Sequence, residues 1–153
     1  MIRITRESDY GILLLSELAR GASGVVRRAK DLAGQAALPY PMASKILKAL
    51  ARAGLLDSHR GANGGYSLAQ APETISIADV IKALEGPIGM TECTTSPGTC
   101  DQEPSCPVRS RWHEISGAVQ QFLERIPLTD LLCPTALPPL QIAEASVADA
   151  RRR

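Results

Sequence analysis

Aromatic side chains are scarce in this sequence: one Trp, one Phe and three Tyr among 153 residues. A core must therefore be aliphatic, drawn from the Leu, Ile, Val and Ala of a 44% apolar fraction. Histidine is rarer still, with two residues. No Ser/His/acid set, phosphate-cradling P-loop or pair of catalytic carboxylates is evident, so the chain reads as a non-enzyme. Long hydrophobic runs are missing too, and nothing approaches the roughly 18–20 apolar residues that cross a bilayer. The short run Ile12–Leu15 follows Arg3, Arg6, Glu7 and Asp9 and has no small-residue cleavage site behind it. These absences predict a soluble cytoplasmic protein without a signal peptide or membrane span.

An overall excess of charge is also lacking, since the net value is +1. Its distribution is uneven. Arg27, Arg28, Lys30, Lys45, Lys48, Arg52 and Arg60 face only Asp31 and Asp57 between positions 27 and 60. A basic segment in a near-neutral chain suits a phosphate-contacting face, although a solvated helix surface has the same composition.

Periodicity predicts a first helix over Arg6–Arg20, with Tyr10, Leu13, Leu14 and Leu18 at helical spacing and Gly21 as its stop. A short Ala-rich helix is expected from Arg28 to Ala37. A third follows from Met42 to Ala53, with Pro41 in its first turn, Ile46, Leu47 and Leu50 on one stripe and Gly54 at its end. Leu55–His59 and Tyr66–Leu68 alternate on either side of Arg60-Gly61-Ala62-Asn63-Gly64-Gly65, a β-hairpin pattern. Ser76 is placed to cap a helix through Glu85, and Gly86-Pro87 ends it. Three short helices and a hairpin with a basic tip predict a mainly α fold: a winged helix-turn-helix with a two-stranded wing.

The predicted organisation is a DNA-binding head over 1–86, an irregular cysteine-rich loop over 87–107, a dimerisation helix and short end over 108–133, and a disordered tail over 134–153. The long helix carries Trp112, Ile115, Val119 and Phe122, with Ile126 just beyond. A stripe holding the sole Trp and the sole Phe outside the head calls for a partner, and a second copy is the natural one. Packing back on the head is the alternative.

Three of the four cysteines cluster, with six residues between Cys93 and Cys100 and five between Cys100 and Cys106, whereas Cys133 stands apart. Disulfides are not expected in a cytosolic chain. The paired C-x-x-C knuckles of structural zinc are absent. Three thiols on a loop with Pro97, Gly98 and Pro104 suit an iron–sulfur cluster, leaving redox-active or incidental cysteines as alternatives. A cluster needs a fourth ligand, for which Cys133, His113, an exogenous thiol, water and a residue of another subunit are open.

Several segments together resemble the iron–sulfur-sensing winged-helix repressors, which include the cluster-assembly and nitric-oxide-sensitive regulators. They are Ile4-Thr5…Asp9-Tyr10, Leu50…Ala53-Gly54-Leu55-Leu56, the wing Arg60–Tyr66, Ile77-Ala78-Asp79-Val80-Ile81 and the cysteine loop. The resemblance spans about residues 1–133, and the opening looks most like regulators of the Suf cluster-assembly operon. It implies a homodimer on a pseudo-palindromic DNA operator, controlled by a cluster on Cys93, Cys100 and Cys106; a 2Fe-2S cluster is expected, with 4Fe-4S as the alternative. Asp9 matches an acidic residue that completes the site from the partner subunit in part of the family. The cluster-assembly regulators use a His three positions after the last Cys, where this chain has Arg109. Ser44 matches a base-contacting position on the third helix, and Arg60 matches a wing Arg that enters the minor groove. Lys45, Lys48 and Arg52 are expected as phosphate contacts or solvated helix residues, Tyr40 at the DNA backbone through its hydroxyl, and Arg28 on the DNA-binding face. The remaining expectations are a zinc- or thiol-controlled repressor and, from another class, a cluster carrier.

Overall fold

The computed structural model describes residues 4–132 apart from positions 23 and 62. Cys133 and the tail predicted over 134–153 lie outside these residues. Helix α1 (Arg6–Ala19) starts at Thr5, whose hydroxyl accepts the Ser8 N–H at 3.3 Å. Helix α2 (Ala29–Gln35) is shorter than its Ala-rich pattern predicts. Helix α3 (Tyr40–Arg52) begins two residues before the expected Met42, with Pro41 in its first turn, and Gly54 beyond its end adopts φ 78°. Strands β1 (Leu56–His59) and β2 (Gly65–Leu68) pair antiparallel, with Leu56 opposite Leu68 and Ser58 opposite Tyr66.

The wing is fastened to the body. Arg27 and Tyr66 exchange two backbone hydrogen bonds of 2.9 Å, which adds a bridge to β2. Gly65 permits that approach, because a Cβ there would lie 2.3 Å from the Arg27 carbonyl oxygen.

Helix α4 (Ile77–Glu85) carries a reciprocal cap: Ser76 Oγ accepts the Asp79 N–H at 3.1 Å and Asp79 Oδ2 accepts the Ser76 N–H at 2.9 Å. Such a cap is worth about 1 kcal/mol. Helices α1–α4 bury an aliphatic core that includes Leu14, Leu15, Leu32, Ile46, Leu47, Leu50, Ile75 and Val80. Each fully buried side chain of this kind contributes about 1.5–3 kcal/mol. A mainly α winged helix is thus the observed architecture.

Beyond the head, the segment expected to be irregular contains a short helix α5 (Glu92–Thr95) and a 3-10 turn over Glu103–Ser105. Helix α6 (Arg109–Glu124) follows and touches both α5 and α4, with a 2.8 Å ion pair between Lys82 and Glu124. Trp112, Ile115 and Phe122 are exposed along α6, while Ser116 is buried and accepts the Met90 N–H at 3.0 Å.

After α6 the chain returns to the head. The Ile126 carbonyl accepts the Ile77 N–H at 2.9 Å, and the Leu128 N–H donates to the Ile75 carbonyl at 2.7 Å. Leu128 is fully buried in the head core. The end of the 108–133 segment, expected outside the head, thus completes it. A lone Leu behind Pro127 has no periodicity that marks it as core.

Candidate nucleic-acid interface and cysteine loop

Helices α2 and α3 and the wing enclose a concave surface of about 760 Å³. Arg28, Tyr40, Ser44 and Lys48, all expected at DNA, line it together with Lys30, Ser58, His59 and Tyr66. No acidic side chain is among its described lining residues, so Arg28, Lys30 and Lys48 set a positive potential that suits phosphate oxygens. Tyr40, exposed at the start of α3, and half-buried Ser44 one turn on supply hydroxyls on the same side. Arg28 reaches Asn63 of the wing turn at 3.5 Å.

Two expected contacts fall elsewhere. Lys45, also on α3, makes a 2.5 Å ion pair with Glu7 of α1. Arg60 is exposed just past β1, outside the concavity. Residues 58, 59 and 66 were missed because a strand pattern names faces, not the helix they face. His59 is oriented by Ser67, whose hydroxyl lies 2.9 Å from Nε2. Burial, then the neighbouring Tyr40, push the Tyr66 phenol above its ordinary value. Tyr66 therefore meets a ligand as a neutral hydroxyl.

The cysteine loop runs between α4 and α6. Cys93 is buried on α5, its Sγ 3.2 Å from the Thr91 hydroxyl, and Cys100 and Cys106 are half-buried; all three are free thiols. Soft thiolates fit iron–sulfur chemistry in type and supply three of the four ligands a cluster needs. Their placement is more open: among the described residues no three His, Cys, Asp or Glu side chains converge on one point. Asp9 is exposed in the first turn of α1 and is not gathered with the cysteines of its own chain. His113 is exposed on α6. Arg109, three positions after Cys106, forms a 2.8 Å ion pair with Glu103. Glu103 itself, buried between Cys100 and Cys106, was not anticipated, because a Glu in a Gly/Pro-rich loop reads as a solvated charge.

A further carboxylate joins the end of α4, just before the loop, to the start of α1. Glu85, the last residue of α4, accepts the Thr5 N–H at 3.0 Å and its hydroxyl at 2.9 Å, and also the Ser8 hydroxyl. Burial raises its pKa, but the bonds from Ser8 and Thr5 outweigh that and hold it below the ordinary carboxylate value. No helix among the described residues is long and apolar enough to cross a membrane.

Residues 4–134 match the family model Rrf2, described as iron-dependent transcriptional regulators. The chain is 33% identical over 132 residues to the transcriptional regulator NsrR of Halalkalibacterium halodurans, covering 86% of this chain and 90% of that protein. It superposes on CymR, described as the global cysteine regulator of Bacillus subtilis, with TM-score 0.68 and 33% identity, over 89% of this chain and all of that one. A structure of T. potens IscR aligns with TM-score 0.64 and 25% identity, over 90% of this chain and 94% of the other. With its basic concavity built from helix and wing, the chain belongs to the Rrf2 family and is a DNA-binding transcriptional regulator rather than an enzyme.

Proposed function

We propose that this regulator is a homodimeric repressor whose grip on a pseudo-palindromic operator is set by an iron–sulfur cluster on Cys93, Cys100 and Cys106. The carrying observation is three free thiols within one loop whose two ends are tied, through α4 and α6, to the DNA-binding head. The partner subunit's Asp9 is the fourth ligand in this reading. Its exposure in its own chain leaves it available to another copy. The exposed Trp112, Ile115 and Phe122 of α6 support a second copy as the element that covers them. A bound cluster supplies a cross-link that iron loss, oxidation or nitrosylation breaks, and genes of cluster assembly are fitting targets. NsrR and IscR among the relatives support this sensor type.

The chain's own residues offer a route from loop to DNA. Glu85 joins the last turn of α4, immediately before the loop, to Thr5 and Ser8 at the start of α1. Glu7 joins that same turn to Lys45 of α3. A change in the loop therefore bears on the angle of the reading helix, and in a dimer on the spacing of two heads against half-sites about one helical turn apart. Ser44 reads a base edge and Arg60 enters the minor groove, while Arg28, Lys48 and Tyr40 contact backbone.

A second reading, thiol-redox control without a cluster, is favoured by one observation: the three thiols do not converge. The likeness to a structure described as the oxidized form of Staphylococcus aureus CymR supports it. Anaerobic reconstitution separates the two. The cluster reading expects visible absorbance and labile sulfide that disappear in Cys100→Ser. Colourless, sulfide-free protein whose DNA affinity still follows thiol oxidation belongs to the second.

A further inference from the structure

Burying an ionised carboxylate is costly unless charge and hydrogen bonds compensate it. Glu103 is 8% exposed, between Cys100 and Cys106, which are half-buried. Both of its oxygens are engaged. Oε2 accepts the Gly98 N–H at 2.7 Å, and Oε1 meets Arg109 Nη2 at 2.8 Å. Gly98 stands two residues before Cys100, and Arg109 three residues after Cys106. One carboxylate thus closes the whole segment that carries the two thiols. The backbone repeats the arrangement: the Glu103 N–H donates to the Cys100 carbonyl at 3.0 Å and the Arg109 N–H to the Cys106 carbonyl at 3.3 Å. Each partner of the ion pair is therefore also bonded to one of the cysteines. Gly98 makes the turn with φ 86°, a conformation that a side chain resists.

We propose that Glu103 and Arg109 form a clamp that positions Cys100 and Cys106 in the metal-free chain. Arg109 is then a positioning residue, and the loop keeps its shape through an ion pair rather than a local ligand. The bearing of the clamp on the DNA switch rests on the cluster reading above. The clamp itself does not, because it is tested without metal.

The test uses the full metal-free, reduced chain, alkylated with iodoacetamide, with the rate at each cysteine read by mass spectrometry. Glu103→Gln and Arg109→Ala are expected to raise the rates at Cys100 and Cys106 about tenfold, as local opening becomes easier. Cys93, buried on α5, should stay within about twofold, since it lies outside the segment. Arg109→Lys, which keeps the charge, should restore most of the protection. The double variant should react no faster than either single one, because both break the same pair. Unchanged rates at Cys100 and Cys106 in both single variants would overturn the clamp. So would a double variant whose effect is the product of the two, or equal acceleration of all three cysteines in every variant. Failure of the cluster reading leaves these rates as expected, whereas failure of the clamp leaves reconstitution unaffected.

Discussion

The head and the arm of this molecule handle their apolar side chains in opposite ways. Between α1 and α4, Leu14, Leu15, Ile46, Leu47, Leu50 and Val80 are enclosed by one another. The arm, α5 through α6 with the turn between them, buries Cys93, Glu103 and Ser116, while Trp112, Ile115 and Phe122 face outward. The head encloses an aliphatic core that the returning Leu128 completes, although Leu13, Val25 and Met42 stay exposed on its surface. An arm that shows its largest side chains to water and holds its loop with an ion pair suits the second copy and the ligand of the proposed reading. On the proposed reading, the difference separates what recognises DNA from what adjusts the recognition.

The sharpest way to break the comparison is to truncate one side chain on each side of it. Leu47→Ala, in the fully buried head, should cost about 3 kcal/mol in denaturant unfolding. Phe122→Ala on the arm should leave the unfolding midpoint of isolated protomers nearly unchanged and instead weaken self-association in sedimentation. Equal destabilisation by the two would erase the distinction.

Next in size is Gly65→Ala. Its Cβ meets the Arg27 carbonyl, so the wing must leave its bridge. Operator affinity should fall by about 100-fold, with a smaller loss of stability, since a contact surface rather than the core is displaced. Lys48→Ala should weaken binding to every sequence alike and lower the salt slope by about 1, the signature of a lost phosphate contact. A loss confined to one operator sequence would instead make Lys48 a base reader.

The smallest effect belongs to Glu85. Its carboxyl is depressed in the folded state, so its stabilisation is fully present above the ordinary value of 4.5 and is lost as pH falls through the lower folded value. Glu85→Gln should be less stable than the parent at pH 7, and the two should converge in acid below that folded value. The group is exposed, which keeps the gap small. A gap that persists unchanged into acid would show that charge is not what Glu85 contributes.

Much of the head was legible because its determinants are local. Leu13, Leu14 and Leu18 announce α1, Ser76 and Asp79 announce the start of α4, and the glycines of 61–65 announce the wing. The return of Leu128 to the core was not, since its pairing with Ile75 spans two elements and leaves no periodic trace. The thiols were visible as a spacing, but Glu103 was not, because its burial depends on meeting Gly98 and Arg109 in space. Arg109 looked like a missing ligand in the sequence and is half of an ion pair in the structure.

The most direct test of the account is the affinity of anaerobically purified protein for an operator selected from genomic fragments, measured at one salt concentration before and after removal of its iron and sulfide. The account predicts visible absorbance at the start and a change in affinity of at least about tenfold, the lower range of typical coupling between two sites. Protein that carries no iron or sulfide, or that binds the operator equally in both states, would contradict it.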